Sequence, residues 1–178
     1  MPRLPTPLRW IVATALAGAA VGLAGGAGLG GTATLLLPGL ALGLAQRIAM
    51  PDRLPPVWTL FSGLAWVAGA LLDASLPLRP AGAGLWLVPT ATMAIWQTFL
   101  INDVRTSWPW LPVSLLGALV LQLAAQAACA VGCRPVAYAF GPSAATVMSY
   151  LVGFAGYGLV TGAALPWLLR PRAVRSRA

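Results

Sequence analysis

Long apolar segments separated by short polar connections make up most of the chain. Six of these segments are each close to the ~20 residues that a helix needs to cross the hydrocarbon of a bilayer. They cover residues 10–27, 32–50, 56–76, 85–101, 109–130 and 145–169. Helices satisfy their own backbone polar groups within lipid, and the strands of a membrane barrel would be shorter. The pattern therefore predicts an all-α integral membrane protein with six transmembrane helices.

Polar and proline positions recur along the chain at a nearly constant offset. Three pairs are 51 residues apart and three more are 52 apart: Pro38 and Pro89, Gln46 and Gln97, Asp52 and Asp103, then Arg53 and Arg105, Trp58 and Trp110, Ser62 and Ser114. The offset indicates three parallel two-helix hairpins, at about 8–53, 55–105 and 108–172, within one membrane domain. Three such units suggest a pseudo-three-fold bundle.

The second helix of the first hairpin carries the motif Gly-x-x-x-Gly-x-x-Gln, as Gly39, Gly43 and Gln46. The second hairpin keeps the glutamine as Gln97 but lacks both glycines. The motif resembles that of a group of bacterial multi-pass membrane proteins built from repeated helical hairpins. No function is known for that group, so the resemblance implies a membrane fold and no activity.

The composition supports a membrane protein and excludes several kinds of chemistry. The 178 residues are 59% apolar and 8% charged, against about 25% charged in soluble domains, and the mean hydropathy is +0.83. The sequence has no Lys, His or Glu. It therefore offers no lysine Schiff base, imidazole catalyst or histidine metal ligand. We expect no cofactor, no metal and no catalytic constellation.

Only three residues are acidic, and they lie at predicted helix ends or in loops, as Asp52, Asp73 and Asp103. Carboxylates in the middle of the membrane mark proton and cation pathways. Their absence from the centres of the predicted spans weighs against a proton-coupled pump.

The arginines predict the orientation of the chain. Nine of the eleven fall on the side of the two termini, and only Arg79 and Arg134 fall on the other. By the positive-inside rule both termini face the cytoplasm. The abundance of Ala, Gly, Pro and Arg is typical of a GC-rich bacterial genome, so we expect a bacterial cytoplasmic membrane. The basic tail, 170–178, would contact anionic lipid headgroups. This distribution accounts for the net charge of +8 without a nucleic-acid partner.

Tryptophans recur on this predicted cytoplasmic side, which is typical of an aromatic belt at the membrane interface. They are Trp10, Trp58, Trp108, Trp110 and Trp167. Two arginines ahead of the first apolar segment also fit a secretory signal peptide. Because Trp10 and Thr14 match the residues that open the other two hairpins, we expect this segment to be a permanent first helix.

Small residues form a ladder at four-residue spacing along the first helix, as Gly18, Gly22, Gly26 and Gly30. Such ladders let two helix backbones approach closely. Two interpretations remain open: packing within the chain, or a docking face for a partner helix.

Four glutamines form a candidate polar cluster: Gln46, Gln97, Gln122 and Gln126. An amide in hydrocarbon seeks a hydrogen-bond partner, so these residues serve either to hold helices together or to line a site for a small molecule. Pro38 and Pro89 are expected to kink the outer halves of the second and fourth helices. Such kinks would either shape the bundle or open a cavity.

Cys129 and Cys133 lie at the predicted outer end of the fifth helix. The compartment permits a disulfide, so the pair is either a structural clip or two free thiols. The spacing differs from the Cys-x-x-Cys of redox enzymes.

Three functions remain open from the sequence, and one of them, a membrane enzyme, lacks a catalytic constellation. Two others have support in the sequence. The first is a non-enzymatic membrane subunit or scaffold that binds a membrane-protein partner or a second copy of itself. The alternative is a small-molecule binding or transport protein with its site between the proline-kinked helices.

Overall fold

The computed structural model is helical and has no strand in the residues that it describes, 5–28, 32–75, 87–101 and 104–168. The helices are α1 (Thr6–Gly26), α2 (Thr32–Ala49), α3 (Trp58–Ser75), α4 (Leu87–Leu100), α5 (Val104–Ala128), α6 (Arg134–Phe140) and α7 (Pro142–Leu168). The all-α prediction is confirmed. Arg3, Gly30, Arg79, Asp103 and the tail at 170–178 lie outside the described residues.

A π-helical turn, Cys129–Cys133, joins α5 to α6 into one continuous helix. The helix therefore continues past residue 130, where the fifth apolar segment was expected to end. Pro135 follows the π turn directly and does not end the helix. The chain turns at Gly141, whose φ of 89° is a left-handed conformation that glycine adopts without steric cost.

The two cysteines of the π turn form a disulfide, with their Cα atoms 4.4 Å apart. A π turn closes with i→i+5 hydrogen bonds and so holds more residues than an α turn. Positions four apart then stand almost directly above one another. The wider turn therefore brings the two side chains together while the helix continues.

The prolines occupy different positions in their helices. Pro7 lies in the first turn of α1, whereas Pro109 lies inside α5, which begins at Val104. Pro38 lies inside α2, and Pro89 is the third residue of the described α4. The kinks expected at Pro38 and Pro89 stay predictions.

Each long helix packs against its neighbours in the chain, and α7 packs against both α5 and α1. The contacts therefore close into a ring in which the first and last helices touch directly. This ring brings the beginnings of α1, α3 and α5 to the same end of the bundle as the ends of α2, α4 and α7.

Within the described ranges, three helices are long and apolar enough to cross a membrane: α1, the segment Trp108–Phe140 and α7. The other helices are shorter as described, with 18 residues in α2, 18 in α3 and 14 in α4. Polar residues also lower the hydropathy of α3, which contains Ser62 and Asp73.

The glycine ladder of α1 packs against α7. A Cβ atom added at Gly18 would lie 2.5 Å from the carbonyl oxygen of Tyr150, and one added at Gly22 would lie 2.7 Å from the Cα of Val147. One added at Gly26 would lie 2.8 Å from the Cβ of Ser143, also on α7. The described part of the ladder thus lies against α7, which favours its interpretation as packing within the chain.

Glycines of α2 and α7 allow similar close approaches. A Cβ atom added at Gly43 would lie 2.6 Å from the Cβ of Ser62 on α3, and one added at Gly158 would lie 3.0 Å from the Cβ of Thr14 on α1. Gly43 therefore brings α2 close to α3 at Ser62, and Gly158 brings α7 close to α1 at Thr14.

We predict that Gly22→Leu will lower the free energy of unfolding by about 3 kcal/mol or more, at the upper end of overpacking costs. The added side chain meets the backbone of Val147, which cannot move without displacing α7. Thermal unfolding in detergent micelles measures the change.

Gly25→Leu is the matched control, because nothing lies within 4 Å of an added Cβ at this position. We expect it to change stability by no more than about 0.5 kcal/mol. Equal destabilisation by the two variants would contradict the packing described for α1 and α7.

Candidate functional site

Three tryptophans near the beginnings of α1, α3 and α5 are buried inside the bundle. Trp10 is 0% exposed, Trp58 1% and Trp110 3%. The rings of Trp10 and Trp58 each make an edge-to-face contact with Trp110, with centroids 5.8 and 6.3 Å away. The interpretation of these three as interfacial residues is wrong. Trp108 and Trp167 are more than half exposed, which agrees with a belt position.

Each buried indole donates its N–H to a side chain on another helix. The Nε1 of Trp58 donates to Gln46 Oε1 at 2.8 Å, and the Nε1 of Trp110 donates to Gln97 Oε1 at 3.2 Å. The Nε1 of Trp10 donates to a hydroxyl rather than an amide, Thr161 Oγ1 on α7, at 2.8 Å. Three contacts of one kind thus link α3 to α2, α5 to α4 and α1 to α7.

The indoles fix the orientation of the two amides. An indole N–H can only donate, so each glutamine must turn its oxygen toward its tryptophan. The nitrogen of Gln97 then donates to Gln46 Oε1 at 2.9 Å and to Ser62 Oγ at 2.8 Å. As a result, one amide connects α2, α3, α4 and α5.

Three hydroxyl groups at the same level donate hydrogen bonds to backbone carbonyls of their own helices. Thr14 donates to the carbonyl of Trp10 and Ser62 to that of Trp58, both at 2.7 Å. Thr161 donates to the carbonyl of Tyr157 at 2.8 Å. Their oxygens remain available as acceptors, which Ser62 and Thr161 use for the contacts above. We call this set the polar layer: Thr14, Gln46, Ser62, Gln97, Ser114, Thr161 and the hydroxyl of Tyr157, all fully buried.

Apolar side chains enclose the polar layer on both sides. Along α2, Leu42 precedes Gln46 and belongs to a central cluster, whereas Met50 follows it and belongs to a cluster at the end with the termini. The central cluster also contains Ala17, Val21, Ala45, Ala65, Trp66, Met93, Leu121, Phe154 and Tyr157. The terminal cluster also contains Trp10, Ala49, Leu54, Trp58, Trp110, Leu165 and Leu168.

The four glutamines predicted as one cluster do not meet. Gln46 and Gln97 bond to each other in the polar layer. Ser114 lies at the level of this layer, beside Tyr157. Gln122 and Gln126 follow Ser114 by eight and twelve residues on α5, which places them about 12 and 18 Å further along the helix axis. Gln126 is also exposed.

Sequence reasoning missed Tyr157 and Thr161. A signal for Thr161 was present, since it follows Gly158 by three residues, as Gln46 follows Gly43. The match is hidden by the residue type, because threonine supplies a hydroxyl where Gln46 and Gln97 supply an amide. Tyr157 gave no separate signal within an apolar helix.

The chemistry of this site is hydrogen bonding between neutral groups. In the described ranges no group of three His, Cys, Asp or Glu side chains is arranged to hold a metal ion. Asp73, the one described acid in a helix, is buried near the end of α3 and is eleven residues from Ser62, or about 16 Å along the helix.

No protein-family model matches the chain, and comparisons with curated proteins and with solved structures find no similar protein.

We predict that Trp58→Phe will lower the free energy of unfolding by about 1–3 kcal/mol, the cost of disturbing a buried hydrogen bond. The phenyl ring keeps most of the apolar contacts but removes the donor to Gln46 Oε1. Chemical unfolding in micelles measures the change.

Trp108→Phe is the control, since this residue is 66% exposed and lies outside the polar layer. We expect it to leave stability nearly unchanged. The assignment of the indole bond would be refuted by a Trp58→Phe variant as stable as this control.

Proposed function

We propose that the chain crosses a bacterial cytoplasmic membrane six times, as three parallel hairpins. Three helices meet the length and hydropathy for a span, and α2, α3 and α4 pack between them in the same ring. The shorter helices would cross with their ends in the interface, where a locally thinner bilayer accommodates a short span.

The hydrogen bonds of the tryptophans support the pseudo-three-fold arrangement of these hairpins. In the proposed repeat, each even-numbered span accepts from the tryptophan that opens the next hairpin, and the last accepts from Trp10. The spacing from Gly43 to Gln46 and from Gly158 to Thr161 supports the same register. The acceptor in the third hairpin is then Thr161.

Both termini face the cytoplasm in this proposal. The arginine distribution favours it, and so does the disulfide of Cys129 and Cys133 at the far end of α5. Disulfides persist in oxidising compartments and are rare in the bacterial cytoplasm.

We predict that a green fluorescent protein fused after Ala178 will fluoresce, because it folds in the cytoplasm. An alkaline phosphatase fused after Ala139, next to the turn between α6 and α7, will be active because it requires an oxidising compartment. The reverse pattern for both fusions would overturn the orientation, and activity of both reporters at one site would overturn the assignment of spans.

For the molecular function we propose a non-enzymatic membrane subunit or scaffold. One observation carries this proposal: the side chains that could have lined a ligand site, Gln46 and Gln97, are used to bind helices to each other. They lie between two apolar clusters, in the interior of a ring of helices. The interior side chains thus hold the helices together, and binding to other molecules would use the outer surface.

That outer surface is apolar and irregular. On α1 it presents Leu8, Val12, Leu16 and Leu23, and on α5 it presents Leu115, Leu116, Leu119 and Leu123. Side chains of this kind suit either lipid or the spanning helices of a partner. The partner surface proposed here is therefore made of large side chains and not of the α1 glycines.

A second candidate function, small-molecule binding, has one observation in its favour. Three buried polar atoms, Gln46 Nε2, Ser114 Oγ and Tyr157 Oη, have no hydrogen-bond partner within the described part of the chain.

We predict that the protein purified in mild detergent will retain a membrane partner in fixed stoichiometry, either a different protein or a second copy of the chain. Native mass spectrometry measures the mass of the assembly, and denaturing analysis of the same sample identifies proteins and small molecules. A monomer that retains one small organic molecule and no protein would reject the subunit in favour of the binding function.

A further inference from the structure

The polar layer is complete around α3 and α4 but contains three unpaired atoms, in side chains that α2, α5 and α7 extend into the interior of the ring. Gln46 uses its oxygen for two donors, Trp58 and Gln97, so its nitrogen must point away from them. Among the described residues nothing pairs with that nitrogen, with the Ser114 hydroxyl or with the Tyr157 hydroxyl.

These three atoms are close together. The hydroxyl of Tyr157 faces both the Ser114 side chain and the Gln46 amide, but neither approach reaches the distance and angle of a hydrogen bond. All three residues are 0% exposed. A buried polar atom left without a partner costs about 1–3 kcal/mol, so three in one place call for a common partner.

The position of Ser114 supports this reasoning. Thr14 and Ser62 each donate to the carbonyl four residues earlier. Ser114 occupies the corresponding place after Trp110 but makes no such bond. Its hydroxyl is therefore free to bind another group.

The sequence around Thr161 explains why the polar layer has unpaired atoms here and not around Gln97. Leu42 and Met93 stand four residues before a glutamine, whereas Tyr157 stands four residues before Thr161. The third position therefore has a phenol in place of an apolar side chain and a short hydroxyl in place of an amide. The phenol restores a polar atom to the layer but does not reproduce both the donor and the acceptor of an amide.

We propose that Gln46 Nε2, Ser114 Oγ and Tyr157 Oη bind a single water molecule. The amide donates to the water oxygen, and each hydroxyl can donate or accept, so the water finds about three partners, the usual number for a buried water. The bound water takes the place of the third amide and links α2, α5 and α7. Water is the occupant that fits, because the groups are neutral and enclosed by packed apolar side chains.

A crystal structure of the full chain from a lipid phase, at a resolution that shows ordered waters, tests the proposal. We expect one compact density peak at about 2.7–3.2 Å from all three atoms. Direct hydrogen bonds among the three side chains with no peak between them would overturn it. A peak larger than a water would also overturn it and would identify a bound solute instead.

Infrared difference spectra in isotope-labelled water provide a second test that does not depend on crystals. We expect a band from one strongly held water in the wild type and its loss in Tyr157→Phe. Tyr150→Phe is the control, since Tyr150 lies outside the polar layer, and it should keep the band. A band unchanged by Tyr157→Phe would place the water elsewhere.

The double variant Tyr157→Met with Thr161→Gln separates water binding from a loss of folding. It copies the Met93 and Gln97 pair of α4 and supplies the amide that the third position lacks. We expect this variant to lose the water band while it unfolds within a few degrees of the wild-type temperature. Retention of the band in a folded double variant would contradict the proposal.

Discussion

The N–H group of a buried indole determines the arrangement of the polar layer. It can only donate, and in an apolar interior an unmet donor is costly, so an acceptor must come to it. Trp58 and Trp110 thereby fix which way Gln46 and Gln97 face. Once these amides are oriented, the nitrogen of Gln97 donates to Gln46 and Ser62, and the bonds between α2, α3, α4 and α5 follow.

Such short bonds require helices that approach closely, and glycine makes this possible. Gly43 lies against Ser62, and Gly158 lies against Thr14, each one turn from a residue that accepts an indole N–H. In a bilayer the hydrophobic effect gives little net attraction between spanning helices, so close packing and interhelical hydrogen bonds hold such helices together. The close approach at the glycines therefore makes the hydrogen bonds of the polar layer possible.

The sequence predicted the helices well and their buried faces poorly. Hydropathy located most helices within a few residues, because length and apolar content are local properties. It failed at residues 131–140, where a π turn carried the helix through a stretch that resembled a loop. Trp10, Trp58 and Trp110 were misplaced because a tryptophan near a helix end suits both a lipid interface and a core. In an almost wholly apolar helix, periodicity does not distinguish the two, and only the tertiary packing does.

The bond between Trp10 and Thr161 spans 151 residues of the chain. A ribosome makes the donor in α1 and the acceptor only when it reaches α7. Until α7 is synthesised, the glycines of α1 remain uncovered and the indole of Trp10 lacks this partner. Closure of the ring thus waits for α7, and a chain that stops before α7 leaves the first helix open to contacts with other helices or with quality-control proteases.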